Sequence, residues 1–155
     1  MFGLQIKYLS FFFGLISILS FFNIIYSYYF NLYLNLDTYY LSLFLSSALA
    51  ILFYSLKISP KKTSIFQKIL TVFLGYILLP LILSIPFYLS IYNLTFINSF
   101  FEAVSGFTST GFTIFENIKN IDQSLILWRS TTQWIGGLYF LSVSYTHLTL
   151  PTKCW

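Results

Sequence analysis

The stretch SGFTSTGFT, residues Ser105 to Thr113, interrupts a chain that is otherwise apolar almost from end to end. Of its 155 residues, 57% are hydrophobic and only 8% are charged. Because so few charges cannot cover the surface of a soluble domain of this size, the composition is typical of a polytopic membrane protein. The quoted stretch therefore places two glycines and five hydroxyl side chains where hydrocarbon-facing residues are expected.

Charge-free runs predict where the chain crosses the bilayer. A hydrocarbon core of about 30 Å takes about 20 helical residues. The sequence predicts an all-α protein with three spans and the beginning of a fourth, near Leu9–Phe30, Tyr39–Leu56, Ile69–Ser90 and from Ser124 onward. The third span contains Pro80 and Pro86, which predict a bent helix.

Lysines predict the orientation of these spans. Four of them lie between spans two and three, at Lys57, Lys61, Lys62 and Lys68, whereas the connection between spans one and two carries only Asp37. The positive-inside rule places the lysine-rich connection, and with it the N-terminus, in the cytoplasm. The net charge of +4 then indicates contact with anionic lipid rather than with nucleic acid.

The segment after span three, Ile91 to Ser124, is too polar to cross the bilayer as a lipid-exposed helix. Within it, SFFEAVSG predicts a short helix with Asn98 as N-cap, two turns over Ser99–Ser105 and Gly106 as its C-terminal stop. Seven residues reach only about 10 Å, so this helix enters the membrane without crossing it. Non-helical backbone survives at that depth only inside protein or along a water-filled path, which favours a re-entrant loop.

A short helix followed by a Thr/Ser/Gly run suits cation selectivity. Backbone carbonyls replace the hydration shell of an ion, and Gly111 permits backbone angles that other residues avoid. The helix C-terminus adds partial negative charge, and the small hydroxyl residues Thr108, Ser109, Thr110 and Thr113 flank the glycine. Glu102 either touches the ion or accepts hydrogen bonds from the loop and braces it, and we favour the brace. The same composition also occurs in ordinary external loops.

Two linked motifs strengthen this interpretation. FFEAVSGFTSTGFT, which starts at Phe100, is followed by LWRSTTQWIGG over Leu127–Gly137, and together they resemble the TrkH/KtrB family of potassium uptake proteins, in particular its TrkH branch. The resemblance implies four helix–pore loop–helix repeats around one pore, of which this chain holds two leading transmembrane helices and the first repeat. It further implies that Ser109–Thr113 forms a quarter of the selectivity filter, with potassium held by the carbonyls of Ser109 and Thr110 and with Gly111 as the filter glycine.

Two positions depart from the family pattern, and one charge within the motif needs a role. Ser109 stands where threonine is common, and Phe112 stands where a small residue is common, so bulk is expected behind the filter and the preference between potassium and sodium stays open. Glu102, Gly106, Thr108 and Arg129 are expected to support the pore loop. Arg129 either holds the loop that carries Glu116 and Asp122 or pairs with a carboxylate near the filter mouth; the alternative is an interfacial arginine near Trp128 and Trp134, which fit an aromatic belt. Because Arg129 lies inside the motif, we favour the supporting role.

The resulting organisation has four parts. Residues 1–60 hold two N-terminal transmembrane helices, 61–68 a cytoplasmic basic loop, 69–142 a truncated first repeat, and 143–155 a tail. The tail VSYTHLTLPT resembles a translated sequencing adapter and is expected to be non-native; the alternative is a genuine polar terminus broken by Pro151. The single His and Cys, His147 and Cys154, both fall there, so no metal, redox or nucleophilic site is built on them.

The function expected for the parent protein is potassium uptake across the plasma membrane, as the translocation subunit of a Trk-type transporter and not as an enzyme. Potassium is then the substrate, and no cofactor is expected. By resemblance, the partners are a second copy of the full-length protein and a cytoplasmic nucleotide-binding ring, besides the lipid bilayer. The alternatives are a non-transporting membrane scaffold or assembly protein and a sodium-coupled transporter of the KtrB type.

Overall fold

The computed structural model describes residues 6–56, 65–116 and 121–144. All regular structure in these ranges is helical, which confirms the predicted all-α class; the helices are α1 Ile6–Tyr29, α2 Leu36–Ser55, α3 Ile65–Leu83, α4 Ile85–Tyr88, α5 Phe96–Phe107 and α6 Gln123–Val143. Three segments are long and apolar enough to cross a membrane, namely Tyr8–Tyr29, Leu36–Ser55 and Ile69–Tyr88. Most of the basic connection, with Lys57, Lys61 and Lys62, and the tail with His147 and Cys154 lie outside the described residues.

Helices α1 and α2 pack against each other as a hairpin. Both carry buried serines, Ser20 and Ser27 on α1 and Ser42 and Ser46 on α2. Small residues allow helices in a membrane to approach closely, and three of these hydroxyls donate to a carbonyl of their own helix. Large apolar side chains on the same two helices remain exposed, as expected for lipid-facing surfaces.

The third span is interrupted at one residue, Ser84, but its helical hydrogen bonds continue there: the Ser84 N–H donates to the Pro80 carbonyl over 2.8 Å, and the Ser84 carbonyl accepts from the Tyr88 N–H over 2.9 Å. Helix α3 tolerates Pro80 in its last turn but ends at Leu83, and Pro86 falls in the first turn of α4, where a missing N–H costs nothing. The indole of Trp128, on α6, donates to the carbonyl of Leu83 over 3.0 Å, so the helix break is tied to α6. Trp128 is fully buried, which corrects its expected place in an aromatic belt, whereas Trp134 is exposed.

The short helix α5 is longer than predicted and begins earlier. Thr95 is its N-cap, and the Thr95 hydroxyl accepts a hydrogen bond from the Asn98 N–H over 3.3 Å, so Asn98 lies in the first turn instead of capping it. Gly106 lies inside the helix, which continues to Phe107, and the prediction that Gly106 stops the helix was therefore wrong. With 12 residues α5 reaches about 18 Å, still well short of the hydrocarbon thickness.

Helix α6 packs against α5, α1 and α4. Its Tyr139 ring lies 4.9 Å from that of Phe12, 5.1 Å from Tyr76 and 5.4 Å from Phe107, measured between ring centroids. The Tyr139 hydroxyl donates to the Val72 carbonyl, and a Cβ atom added at Gly75 would overlap that hydroxyl. The aromatic cluster thus needs a glycine at this point of α3.

Candidate functional site: a return loop held by a buried ion pair

The chain reverses direction after α5. As it returns, it contacts α6 at positions progressively nearer the start of that helix. A Cβ atom at Gly136 would overlap the Phe107 carbonyl, so the end of α5 lies against α6 at that level. Four and five residues after Phe107, the carbonyls of Gly111 and Phe112 accept hydrogen bonds from the side chain of Arg129. Arg129 precedes Gly136 by seven residues, about 10 Å along α6. The segment Thr108–Thr113, called the return loop below, therefore leads back toward the start of α6.

Gly106 serves close packing in this arrangement. A Cβ atom at Gly106 would overlap the hydroxyl of Thr132 on α6. The sequence suggested a helix stop because glycine commonly follows a helix C-terminus. The structural reason for the glycine is instead the short distance between α5 and α6.

Backbone hydrogen bonds shape the beginning of the return loop. The N–H of Thr108 donates to Val104, that of Ser109 to Gly106 and that of Thr110 to Ser105, at 2.8–3.0 Å. Ser109 and Gly111 both have left-handed backbone angles, with φ of 56° and 82°. Glycine takes such a φ without a steric penalty, whereas a non-glycine residue there costs of order 1 kcal/mol or more. The surrounding contacts must hold Ser109 in this conformation.

A buried ion pair lies between α5 and α6. The Glu102 side chain is fully buried, and its Oε1 lies 2.6 Å from Nε of Arg129, whose side chain is 15% exposed. The same Oε1 accepts the Thr113 hydroxyl over 2.9 Å, and Oε2 accepts the Ile114 N–H over 3.1 Å. A buried carboxylate is stable only when it is paired and hydrogen-bonded, and here every partner comes from the return loop, the residue after it, or α6.

Arg129 also contacts the return loop directly. Its Nη2 donates to the carbonyl of Gly111 over 3.0 Å and to that of Phe112 over 3.2 Å. The Phe112 carbonyl accepts a second hydrogen bond, from the Ser105 hydroxyl over 2.6 Å. These two carbonyls are therefore directed at α5 and α6, while the Phe112 ring is 67% exposed. The expectation that Phe112 adds bulk behind the filter stays a prediction.

The carbonyls of Ser109 and Thr110 behave differently. Both residues are exposed, and within the described ranges their carbonyl oxygens accept no hydrogen bond. Their side of the loop is ordered nevertheless, because the Thr108 hydroxyl donates to Val104 and lies 2.6 Å from that of Thr110. Two consecutive backbone oxygens thus remain available on a loop whose next two carbonyls are occupied.

A cavity of about 340 Å³ adjoins the tip of the return loop. It is lined by Tyr76, Phe107, Thr108, Ser109, Gly136, Gly137 and Phe140. Among the described residues, no group of three or more His, Cys, Asp or Glu side chains could hold a metal ion. The oxygen atoms that this lining offers are backbone carbonyls and the hydroxyls of Tyr76, Thr108 and Ser109.

Nine residues were singled out in the sequence, and the structure joins five of them in one hydrogen-bonded network: Glu102, Gly111, Phe112, Thr113 and Arg129. Thr108, Ser109 and Thr110 form the exposed part of the loop, and Gly106 contacts α6. Sequence reasoning missed the Ser105 hydroxyl as a contact of the loop. The signal was present, because Ser105 lies within the family motif, but it was interpreted only as the end of the helix.

The chain is similar in sequence to known cation transport proteins. The family model for TrkH, described as a cation transport protein, matches residues 35–153, and thus extends into the tail whose origin stays a prediction. An uncharacterized cation transporter of Methanocaldococcus jannaschii is 33% identical over 55% of this chain and 18% of its own length. The Trk system potassium uptake protein TrkI of Halomonas elongata is 42% identical over 39% of this chain and 11% of its own length.

The Trk system potassium uptake protein TrkG of Escherichia coli is 36% identical over 48% of this chain and 16% of its own length. The matched part of the chain spans less than a fifth of each of these relatives. No solved structure matches the chain significantly. Since the family model covers more than half of the chain, the chain belongs to the TrkH family of cation transport proteins.

Proposed function

We propose that the return loop is one part of a potassium selectivity filter, and that the chain supplies it to the pore subunit of a Trk-type transporter. The observation that carries the proposal is the contrast between neighbouring carbonyls. Those of Ser109 and Thr110 accept no hydrogen bond from the described residues, while those of Gly111 and Phe112 are held by Arg129 and Ser105. Unpaired carbonyls on an otherwise fixed backbone are the groups that replace the hydration shell of a potassium ion.

Electrostatics support a cation at this place. The C-terminal end of α5 is directed at the loop, and its partial negative charge favours a cation there. The guanidinium of Arg129 would oppose a cation, but its charge is compensated by Glu102 over 2.6 Å. The ion pair therefore orders the loop while adding little net charge to it.

One loop cannot enclose an ion, so the remaining oxygens must come from elsewhere. Curated relatives are several times longer than the matched segment, and further loops of the same kind would supply the missing sides of the filter. In this proposal the transporter lies in the plasma membrane with its N-terminus in the cytoplasm. It forms a homodimer, and a cytoplasmic nucleotide-binding ring regulates it, both by family resemblance.

Growth and uptake measurements test the proposal with the complete protein that contains this chain. It is expressed in a host that lacks potassium uptake, and growth at low potassium and ⁸⁶Rb⁺ uptake are measured. We expect rescue, and we expect the variant Gly111→Ala to lose potassium selectivity because a Cβ atom is strained at a φ of 82°.

The matched control is Gly14→Ala, since a Cβ atom at Gly14 meets no atom of the described residues within 4 Å. A Gly111→Ala protein with wild-type selectivity would contradict the assignment of the loop. Complete protein that reaches the membrane but passes no monovalent cation would instead favour the non-transporting scaffold.

A further inference from the structure

A second polar cluster lies at the start of α6, away from the return loop. It consists of Asn35, the N-cap residue of α2, Tyr39 on α2, Tyr92 in the connection before α5, and Asp122 and Ser124 at the beginning of α6. We call it the junction cluster. Its members are separated by up to 89 residues in the sequence and belong to three different parts of the fold.

The hydrogen bonds of the junction cluster converge on Asp122. Its Oδ2 accepts from Nδ2 of Asn35 over 2.9 Å and from the hydroxyl of Ser124 over 2.6 Å, and its N–H donates to the Tyr92 hydroxyl over 2.7 Å. The Tyr39 hydroxyl lies 2.9 Å from that of Ser124. Since Ser124 uses its only hydrogen toward Asp122, Tyr39 is the donor in this pair.

Buried polar side chains at the start of α2 bond either within their own helix or to the start of α6. Thr38 and Ser42 are buried, but their hydroxyls donate to carbonyls only three or four residues earlier in the chain. Asn35 and Tyr39 are equally buried, and their side chains reach Asp122 and Ser124 instead. Burial of an amide and a phenol is costly unless each is hydrogen-bonded, so only one placement of α6 against α2 satisfies both.

Helix α6 connects the junction cluster with the return loop. Ser124 precedes Arg129 by five residues, about 7.5 Å of rigid helix. Between them, Trp128 is buried and its indole donates to the Leu83 carbonyl, which anchors this part of α6 to the end of α3. A displacement of its first turn would be transmitted to the Arg129 side chain, and hence to the carbonyls of Gly111 and Phe112.

We propose that the α1–α2 hairpin sets the geometry of the filter loop through α6, with Asn35 and Tyr39 as positioning residues for ion selectivity. This inference rests on the proposed function of the return loop. It assigns a part in ion discrimination to a helix pair that contributes no residue to the loop itself.

The test compares two neighbouring tyrosines in the complete protein. Tyr39→Phe removes only the hydroxyl that donates to Ser124, and Tyr40→Phe removes the hydroxyl of an exposed tyrosine paired with Tyr28. Uptake of ⁸⁶Rb⁺ is measured against competing potassium and sodium, with the amount of protein in the membrane determined separately. For Tyr39→Phe we expect the preference for potassium over sodium to fall about fivefold, the factor that corresponds to one hydrogen bond.

Tyr40→Phe is expected to keep the wild-type preference. Ser124→Ala should resemble Tyr39→Phe, and the double variant should be no worse than either, because both remove the same bond. A Tyr39→Phe protein that is less thermostable yet equally selective would overturn the inference, since a merely structural tyrosine changes stability alone.

An exchange of charge adds a variant that does not depend on the tyrosine. Asn35→Asp places a second carboxylate against Asp122, and selectivity should fall; adding Asp122→Asn restores an amide–carboxylate pair and should restore selectivity. No recovery in the double variant would contradict the positioning role. If Gly111→Ala also leaves selectivity unchanged, the proposed function of the loop fails; if Gly111→Ala abolishes selectivity while the junction variants do not, only the present inference fails.

Discussion

Glu102 and Arg129 form an ion pair at 2.6 Å that joins the middle of α5 to the second turn of α6. The two residues are 27 positions apart, and the return loop lies between them in the chain. Both side chains also bond to the return loop or to the residue after it, Glu102 to Thr113 and Ile114 and Arg129 to Gly111 and Phe112. The pair is therefore the principal link between the loop and the helices that carry it.

Removal of one member of this pair is expected to destabilise the protein. Glu102→Gln leaves the guanidinium of Arg129 largely buried without its counter-charge, a loss of about 3 kcal/mol in the free energy of unfolding. Thermal unfolding of the complete protein in detergent measures it. The control is Glu116→Gln, because Glu116 is exposed and has no partner among the described residues. The double variant Glu102→Gln/Arg129→Gln should lose less than the sum of the single losses; strict additivity would show that the two residues do not act as a pair.

Arg129→Lys is expected to separate stability from selectivity. A lysine ammonium can keep the charge opposite Glu102, but it lacks the planar fork that reaches the carboxylate and two carbonyls at once. The carbonyls of Gly111 and Phe112 then lose a donor, and we expect a clear fall in potassium-over-sodium preference with a small change in thermal stability. Competition uptake and thermal unfolding on the same preparation measure both. Full selectivity in the lysine variant would mean that the charge alone is sufficient.

The sequence predicted the spans well because each depends on local composition. A charge-free run of 20 residues is helical in a membrane wherever its neighbours lie, and the predicted spans differ from the observed helices by a few residues at each end, apart from the break in the third. The predicted ends of the short helix were less accurate, because neighbouring residues can serve equally well as caps. Thr95 caps α5 instead of Asn98, since the two are three residues apart and both are good caps.

Contacts between distant segments could not be predicted from residue types. Pairing of Arg129 with a carboxylate near the filter mouth was one of the roles considered from the sequence, but only the fold identifies that carboxylate as Glu102. Asp122 accepts hydrogen bonds from Ser124 and from Asn35, which lies 87 residues earlier in the chain. Such networks join residues with no regular spacing, so a pattern along the chain carries no sign of them.

Ser105→Ala tests whether the Ser105 hydroxyl, whose contact was not predicted from the sequence, holds the return loop. It removes the 2.6 Å hydrogen bond to the Phe112 carbonyl, and we expect a loss of about 1 kcal/mol in stability together with reduced selectivity. Ser99→Ala is the matched control on α5, because the Ser99 hydroxyl bonds only to the Thr95 carbonyl one turn earlier. Equal effects of the two substitutions on ion selectivity would contradict a role for Ser105 in holding the loop.

Ser27→Ala should leave the thermal stability of the protein unchanged or raise it slightly. The hydroxyl of Ser27 is buried on α1 and finds no hydrogen-bond partner among the described residues, so its removal relieves a desolvation cost of about 1 kcal/mol. Ser20→Ala is the control on the same helix, since its hydroxyl donates to Ile16. Thermal unfolding distinguishes them, and a marked loss of stability in Ser27→Ala would show that a water or another segment satisfies this hydroxyl.

The neighbouring glycines Gly136 and Gly137 should respond in opposite ways to alanine. A Cβ atom at Gly136 would overlap the carbonyl group and Cα of Phe107, which are backbone atoms that cannot rotate aside, so the end of α5 must move away from α6. We expect Gly136→Ala to abolish growth at low potassium and to lower the free energy of unfolding by several kcal/mol, as overpacking against backbone does.

Gly137→Ala is the matched control. A Cβ atom at Gly137 meets no described atom within 4 Å, so this variant should be slightly more stable because alanine has a higher helix propensity than glycine. The two variants are compared by growth at low potassium and by thermal unfolding of the purified proteins. Tolerance of Gly136→Ala would mean that α5 and α6 are farther apart in the working protein, and the support of the return loop by α6 would have to be abandoned.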